Sequence, residues 1–191
     1  MIINILINLC FRGAMDMTIG LWQLLGFGFT SLFGTILHFL YDFTNKSVYA
    51  APFSGVNEST WEHMKLLFFP ALVFMIIEWR FTGRSRPVYW CVKLRGTLLG
   101  LSSIPVLFYT LNGTFGKTPD WVNITIFFVS AAYMYLWEYR KFGSETVSCH
   151  RPKAALLVLI IIALTFVIFT FITPKLPIFM DPATMTYGIQ K

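Results

Sequence analysis

Five separate runs of mostly apolar residues constrain this chain more than any motif does: 18–40, 60–79, 88–111, 121–139 and 154–173. Each is about 20 residues long, the length that carries a helix across a hydrocarbon core at 1.5 Å per residue. With 56% hydrophobic and only 13% charged residues, and a mean hydropathy of +0.65, much of the surface must face lipid rather than water. The expected fold is all-α: an integral membrane helical bundle of about five transmembrane helices, with the lipid bilayer as its partner. Residues 18–173 form the single bundle, 1–17 an amino-terminal segment that is interfacial or loose, and 174–191 an extracytoplasmic tail able to fold over the bundle.

All six tryptophans, Trp22, Trp61, Trp79, Trp90, Trp121 and Trp137, fall at or near run ends, where an amphipathic ring prefers the headgroup level. Basic residues gather in two connections: Arg80, Arg84, Arg86, Lys93 and Arg95 in one, Arg140, Lys141, Arg151 and Lys153 in the other. With Arg12 these make ten of the fifteen basic residues. They place both connections and the amino terminus in the cytoplasm of a cell-membrane protein, and the carboxyl terminus outside. The net charge of +6 therefore reads as orientation, and nucleic acid is not expected as a partner because no soluble segment is long enough to present a basic face. Met15 and Met17 precede the first run, and either is a candidate start. Cys10, Cys91 and Cys149 make no CxxC pair, so spacing argues neither a disulfide framework nor a zinc ribbon, and Cys149 beside His150 is a weak pair.

In the first run Gly26, Thr30, Gly34, His38 and Asp42 recur every four residues, a stripe expected to face other helices, with His38 and Asp42 pointing into the bundle. Gly96 and Gly100 form a GxxxG pair, a face suited to a membrane-protein partner or a second copy. Pro70 and Pro105 lie inside runs and predict packing kinks, while 154–171, almost wholly aliphatic and aromatic, is expected at the lipid-facing edge.

The stretch Asn57-Glu58-Ser59-Thr60-Trp61-Glu62-His63-Met64-Lys65 holds two carboxylates, an imidazole and an ammonium. The topology puts it on the outer side with His38, Asp42, Asp120 and Asp181, so that two of three histidines and five of nine acids share one face. The candidate binding cluster is His38, Asp42, Asn57, Glu58, Glu62, His63, Lys65 and Asp181. A plainer explanation competes with it. Ser59 and Glu62 fit a capping box, the Ser59 hydroxyl taking an orphan amide and Glu62 reaching back to the Ser59 amide, and Lys65 sits three residues on to pair with Glu62.

The Leu37-His38-Phe39 segment, the stretch from Asn57 to Leu66 with Phe68-Phe69-Pro70 behind it, Thr110 to Lys117 and the tail Leu176 to Asp181 resemble a family of uncharacterised bacterial multi-pass membrane proteins that carries an Asn-Glu-Ser-x-Trp-Glu-His-x-Lys-Leu motif. Gly55 departs from the proline expected there, and the first 17 residues have no counterpart. The resemblance implies a membrane bundle and no particular activity.

Three functions compete. The first is binding or transport of a small solute or cation in a pocket lined by the cluster. The second is a membrane-embedded metal-dependent hydrolase, resembling ceramidase-like enzymes in outline, with a divalent metal as cofactor on His38, His63 and Glu62; no HExxH spacing supports it. The third is a structural or accessory subunit. On the first reading, loss of the Glu62 charge or of the His63 ring abolishes binding and leaves the fold intact.

Overall fold

The structure, a computed structural model, describes residues 2–144 and 147–189, with side chains of 2–17 excepted. Five α-helices follow one another: α1 (Ile2–Phe43), α2 (Thr60–Phe81), α3 (Tyr89–Phe115), α4 (Asp120–Phe142) and α5 (Pro152–Phe171). Short 3-10 turns at Gly83–Ser85 and Pro177–Phe179 complete it, and no strand occurs among the described residues beyond one isolated bridge, Met180 with Tyr187. The backbone of 2–17 is helical and continuous with the first run, while the side chains on which the interfacial reading rests lie outside those described. Three helical stretches, Thr18–Phe43, Tyr89–Phe115 and Pro152–Phe171, are long and apolar enough to cross a membrane.

α2 is the central helix. Leu66 to Ala71 are buried without interruption, with Phe74 and Met75 beyond them, while Val73, Ile76 and Ile77 are exposed, so α2 is enclosed along its first half and keeps one face open in its second. α1, α3, α4 and α5 pack around it. α5 lies at the edge against α3 and α2, burying Ala155, Leu159, Phe166 and Thr170 while Leu157, Ile160, Ile161, Leu164 and Ile168 stay exposed. Both prolines are accommodated inside continuous helices.

The small-residue stripe of α1 does face its neighbours. A side chain at Gly26 would strike Tyr135 and Phe74, one at Gly34 would strike Phe127, and Thr30 shares a 2.7 Å hydrogen bond with the Tyr135 hydroxyl. Asp42 breaks the pattern. It is exposed, because α1 ends at Phe43 and the chain leaves through Asn45 and Lys46, both at positive φ, so nothing packs beyond His38 on that stripe. The Gly96/Gly100 face is covered within the chain by α4: an added Cβ at Gly96 would stand 2.6 Å from the Glu138 side chain, and one at Gly100 3.0 Å from Met134.

Glu138 belongs to a polar centre at the far end of α2. Lys93 Nζ lies 2.5 Å from Glu78 Oε2 and 2.6 Å from Glu138 Oε2, and all three side chains are 0% exposed. Gln23 donates to Glu78 Oε1 at 2.9 Å and accepts from Lys93 at 3.4 Å, and the Tyr89 hydroxyl donates to the Met75 carbonyl at 2.7 Å. Arg86, in the connection before α3, adds a second cation: burial pulls its pKa below the ordinary value while the charge of Glu78 opposes the shift, and the guanidinium stays ionised. Lys93 thus departs from the orientation charge expected of it. It is consumed inside the chain because its side chain leaves the inner face of α3 toward two acids on α2 and α4.

Gly96→Ala should force Glu138 away from Lys93 and lower stability by about 1–3 kcal/mol, the usual scale for overpacking a filled site. Gly113→Ala, where an added Cβ meets nothing within 4 Å, should cost nothing. Thermal unfolding of both variants in the same detergent checks the contrast.

Candidate functional site

The opposite end of α2 carries the sequence cluster, and the structure divides it into members used by the fold and members left over. Ser59 caps α2, its hydroxyl accepting from the Glu62 amide at 3.4 Å, and Asn57 Oδ1 accepts from the Ser59 amide at 2.9 Å. The reciprocal half of the capping box is absent. Asn57 already occupies the Ser59 amide, so the Glu62 carboxylate turns instead to the Val56 amide, 3.1 Å away, and to Lys65 Nζ at 2.5 Å.

Lys65, 0% exposed, spends its remaining protons on the Ala51 carbonyl at 2.9 Å and Thr170 Oγ1 at 3.1 Å. One ammonium therefore ties α2 to the α1–α2 connection and to α5, which is structural work. The tail is fastened to the same end. Asn57 Nδ2 donates to the Gly188 carbonyl at 3.0 Å, and Phe179 packs against Trp61 in a tilted arrangement with ring centroids 4.6 Å apart. Asp181 is buried, accepts from the Ala183 amide at 2.8 Å, and lies near enough for its charge to act on His63.

His38, Glu58 and His63 remain. Glu58 stands between the two imidazoles, 3.8 Å from His38 Nε2 and 3.5 Å from His63 Nε2, with the rings 5.8 Å apart, and its side chain is 54% exposed. His63 Nδ1 is 3.0 Å from the Ser59 carbonyl. A carbonyl only accepts, so Nδ1 carries a hydrogen and, in the neutral ring, Nε2 is a bare acceptor. In that neutral form an acceptor nitrogen faces a carboxylate oxygen and the gap between them suits a donor, whereas a protonated ring would donate to Glu58 directly.

Below the two histidines runs a groove of about 200 Å³ between α1, α2 and α4. Its walls are Gly34, Thr35 and Phe39 from α1, Leu66 from α2, and Ile124, Phe127 and Phe128 from α4. Phe39, Ile124 and Phe128 are exposed, so the groove opens sideways, away from the bundle axis. Of the three residues considered for a metal, Glu62 is turned to Lys65 and Val56, and no group of three or more His, Cys, Asp or Glu is arranged to hold a metal among the described residues.

Sequence reasoning passed over the polar centre at the other end of α2. The signal was present, since Gln23, Glu78, Lys93 and Glu138 all fall within the apolar runs, where an ionisable group needs a partner. It also missed Cys91 and Cys149, which form a disulfide linking the start of α3 to the α4–α5 connection; spacing could not reveal it, because 58 residues separate them.

The chain belongs to a family of unknown function (DUF6512), whose model matches residues 14–189. No curated protein and no solved structure matches it.

The division of the cluster yields a contrast. Glu62→Gln leaves Lys65 buried without its counter-charge and should destabilise the protein by about 3 kcal/mol, the scale for removing one partner of a buried pair. Glu58→Gln, at an exposed position, should leave the melting temperature unchanged. Equal melting temperatures for the two variants would contradict the assignment.

Proposed function

We propose that this protein is a five-span membrane protein that binds a small amphiphile, its donor-bearing head held by His38, Glu58 and His63 and its apolar body lying in the groove beneath. The observation that carries the reading is the approach of His63 Nε2 to Glu58 Oε2 at 3.5 Å, an acceptor pair when the ring is neutral, at the mouth of an aromatic groove. An ammonium or hydroxyl placed there donates to both acceptors and relieves their repulsion, and a cation would do the same. His38, on the other side of Glu58, completes a cradle with one negative charge, which favours a positive or hydroxylic head over an acidic one. The sideways opening suits a ligand arriving from the lipid phase, with its chain displacing lipid rather than water.

In the same reading all five helices span the cell membrane, with the amino terminus cytoplasmic and the carboxyl terminus and binding site extracytoplasmic. Lys65 and Lys93 are internal and drop out of the charge balance. Among the residues whose side chains are described, eight basic residues then remain toward the end where α2 finishes and three toward the end where it starts, so the asymmetry survives. The charged residues of α2 and α4 are compatible with spanning because Glu62, Lys65, Glu78 and Glu138 point inward at one another or at Lys93.

Thermal shift in detergent with matched long-chain amines, alcohols and carboxylates tests the proposal. The amine and the alcohol should stabilise the parent protein and the carboxylate should not. Glu58→Gln should lose that stabilisation while melting normally without ligand, and His63→Ala should lose it as well, from a lower starting melting temperature. Equal shifts for all three head groups, or shifts unchanged in both variants, would contradict it.

A further inference from the structure

The basic end of the bundle carries the disulfide. Cys91 lies in the first turn of α3 and Cys149 in the connection leading to α5, with Cα atoms 5.8 Å apart. Both are partly exposed. Beside the bond is a pocket of about 360 Å³ whose lining includes Arg95, Ser148, His150 and Arg151. No acidic side chain is among its described lining residues.

A disulfide that serves only as a staple belongs to an oxidising compartment, whereas one facing the cytosol is met by reducing thiols and is transient, catalytic or redox-sensing. The proposed orientation puts this bond on the cytosolic side. We propose that Cys91 and Cys149 form a thiol-exchange site whose co-reactant is a carboxylate-bearing low-molecular-weight thiol. This rests on the orientation given above.

The surroundings supply what exchange needs. Arg95 and Arg151 attract an anionic thiol and raise its local concentration. The incoming thiolate forms a bond to Cys149 Sγ as the Sγ–Sγ bond breaks, and the electron pair leaves on Cys91. The amino-terminal end of α3 is a favourable place for that negative charge, which makes Cys91 the better leaving sulfur. A second thiol then attacks the mixed disulfide, releasing the external disulfide and the Cys149 thiolate. Both protein thiolates end protonated, and two electrons have passed from two external thiols to the pair. The reverse steps, driven by the external disulfide, close the bond again. Opening it releases the connection before α5 from α3, so the state of the pair sets how firmly the amino-terminal end of α5 is held.

The test uses full-length protein carrying Cys10→Ser, in inverted and right-side-out membrane vesicles, with a membrane-impermeant maleimide reporting free thiols. Reduced glutathione added to inverted vesicles should yield two labelled cysteines per chain, and oxidised glutathione should remove both labels. Replacing Arg95 and Arg151 together by alanine should slow the reaction with glutathione roughly tenfold, while the rate with neutral mercaptoethanol stays the same. Labelling confined to right-side-out vesicles would overturn the orientation and with it the cytosolic role. A bond that resists glutathione in both vesicle types, or two thiols that oxidised glutathione never closes, would overturn the exchange site while leaving the orientation standing.

Discussion

Lys93 is the point on which the bundle depends. Its ammonium is shared by Glu78 from α2 and Glu138 from α4, and Gln23 from α1 closes the ring, so a single cation is in contact with one residue from each of three other helices. Ionisable groups this far from water are costly, and they are tolerated when an opposite charge sits at bonding distance, as Lys93 does for both acids even though Glu138 Oε1 is left without a hydrogen-bond partner. That requirement fixes the rotation and axial position of α1 to α4 more sharply than apolar contact does, because lipid tails are as apolar as the helix faces and give no hydrophobic preference for one pairing. Gly96 is part of the same constraint, since the Glu138 side chain occupies the space that a Cβ would fill.

α5 has no place in that centre and is held near its two ends. At one, Lys65 reaches Thr170; at the other, the Cys91–Cys149 bond secures the connection just before Pro152. Between these points α5 offers only apolar contacts to α3 and α2. The two buried ammonium groups, Lys65 and Lys93, therefore divide the assembly between them: one locks four helices at the basic end, and the other gathers the α1–α2 connection, α2 and α5 at the opposite end. Glu58 and the two histidines are what remains of the polar cluster after the fold has taken its share, which is why the binding proposal rests on them and not on Glu62 or Lys65.

The five helices and the inward stripe from Gly26 through His38 were legible from spacing, because a period of four residues maps directly onto one helix face, whereas the helical backbone of 2–17 that lengthens α1 to 42 residues was not. Position along a helix is also legible, but the partner of a charge is not. Lys93 sits near the end of a run among arginines and reads as one more orientation charge, and only the packing of α3 against α4 shows that it turns inward. Asp42 continues the stripe in sequence but falls where the helix is about to end. The capping box was half right for a similar reason. The Ser59 cap follows from local spacing, whereas the turn of Glu62 toward Val56 depends on how the preceding connection folds back.

The claim that Lys93 organises the bundle is tested most directly by measuring unfolding stability in detergent for Lys93→Met and for the triple variant that adds Glu78→Gln and Glu138→Gln. Lys93→Met alone leaves two buried acids without the cation that contacts them, with only Arg86 acting on Glu78 from the connection, and should cost about 3 kcal/mol or more; neutralising both acids should recover most of that loss. A Lys93→Met protein as stable as the parent, or a triple variant no more stable than the single one, would contradict the account.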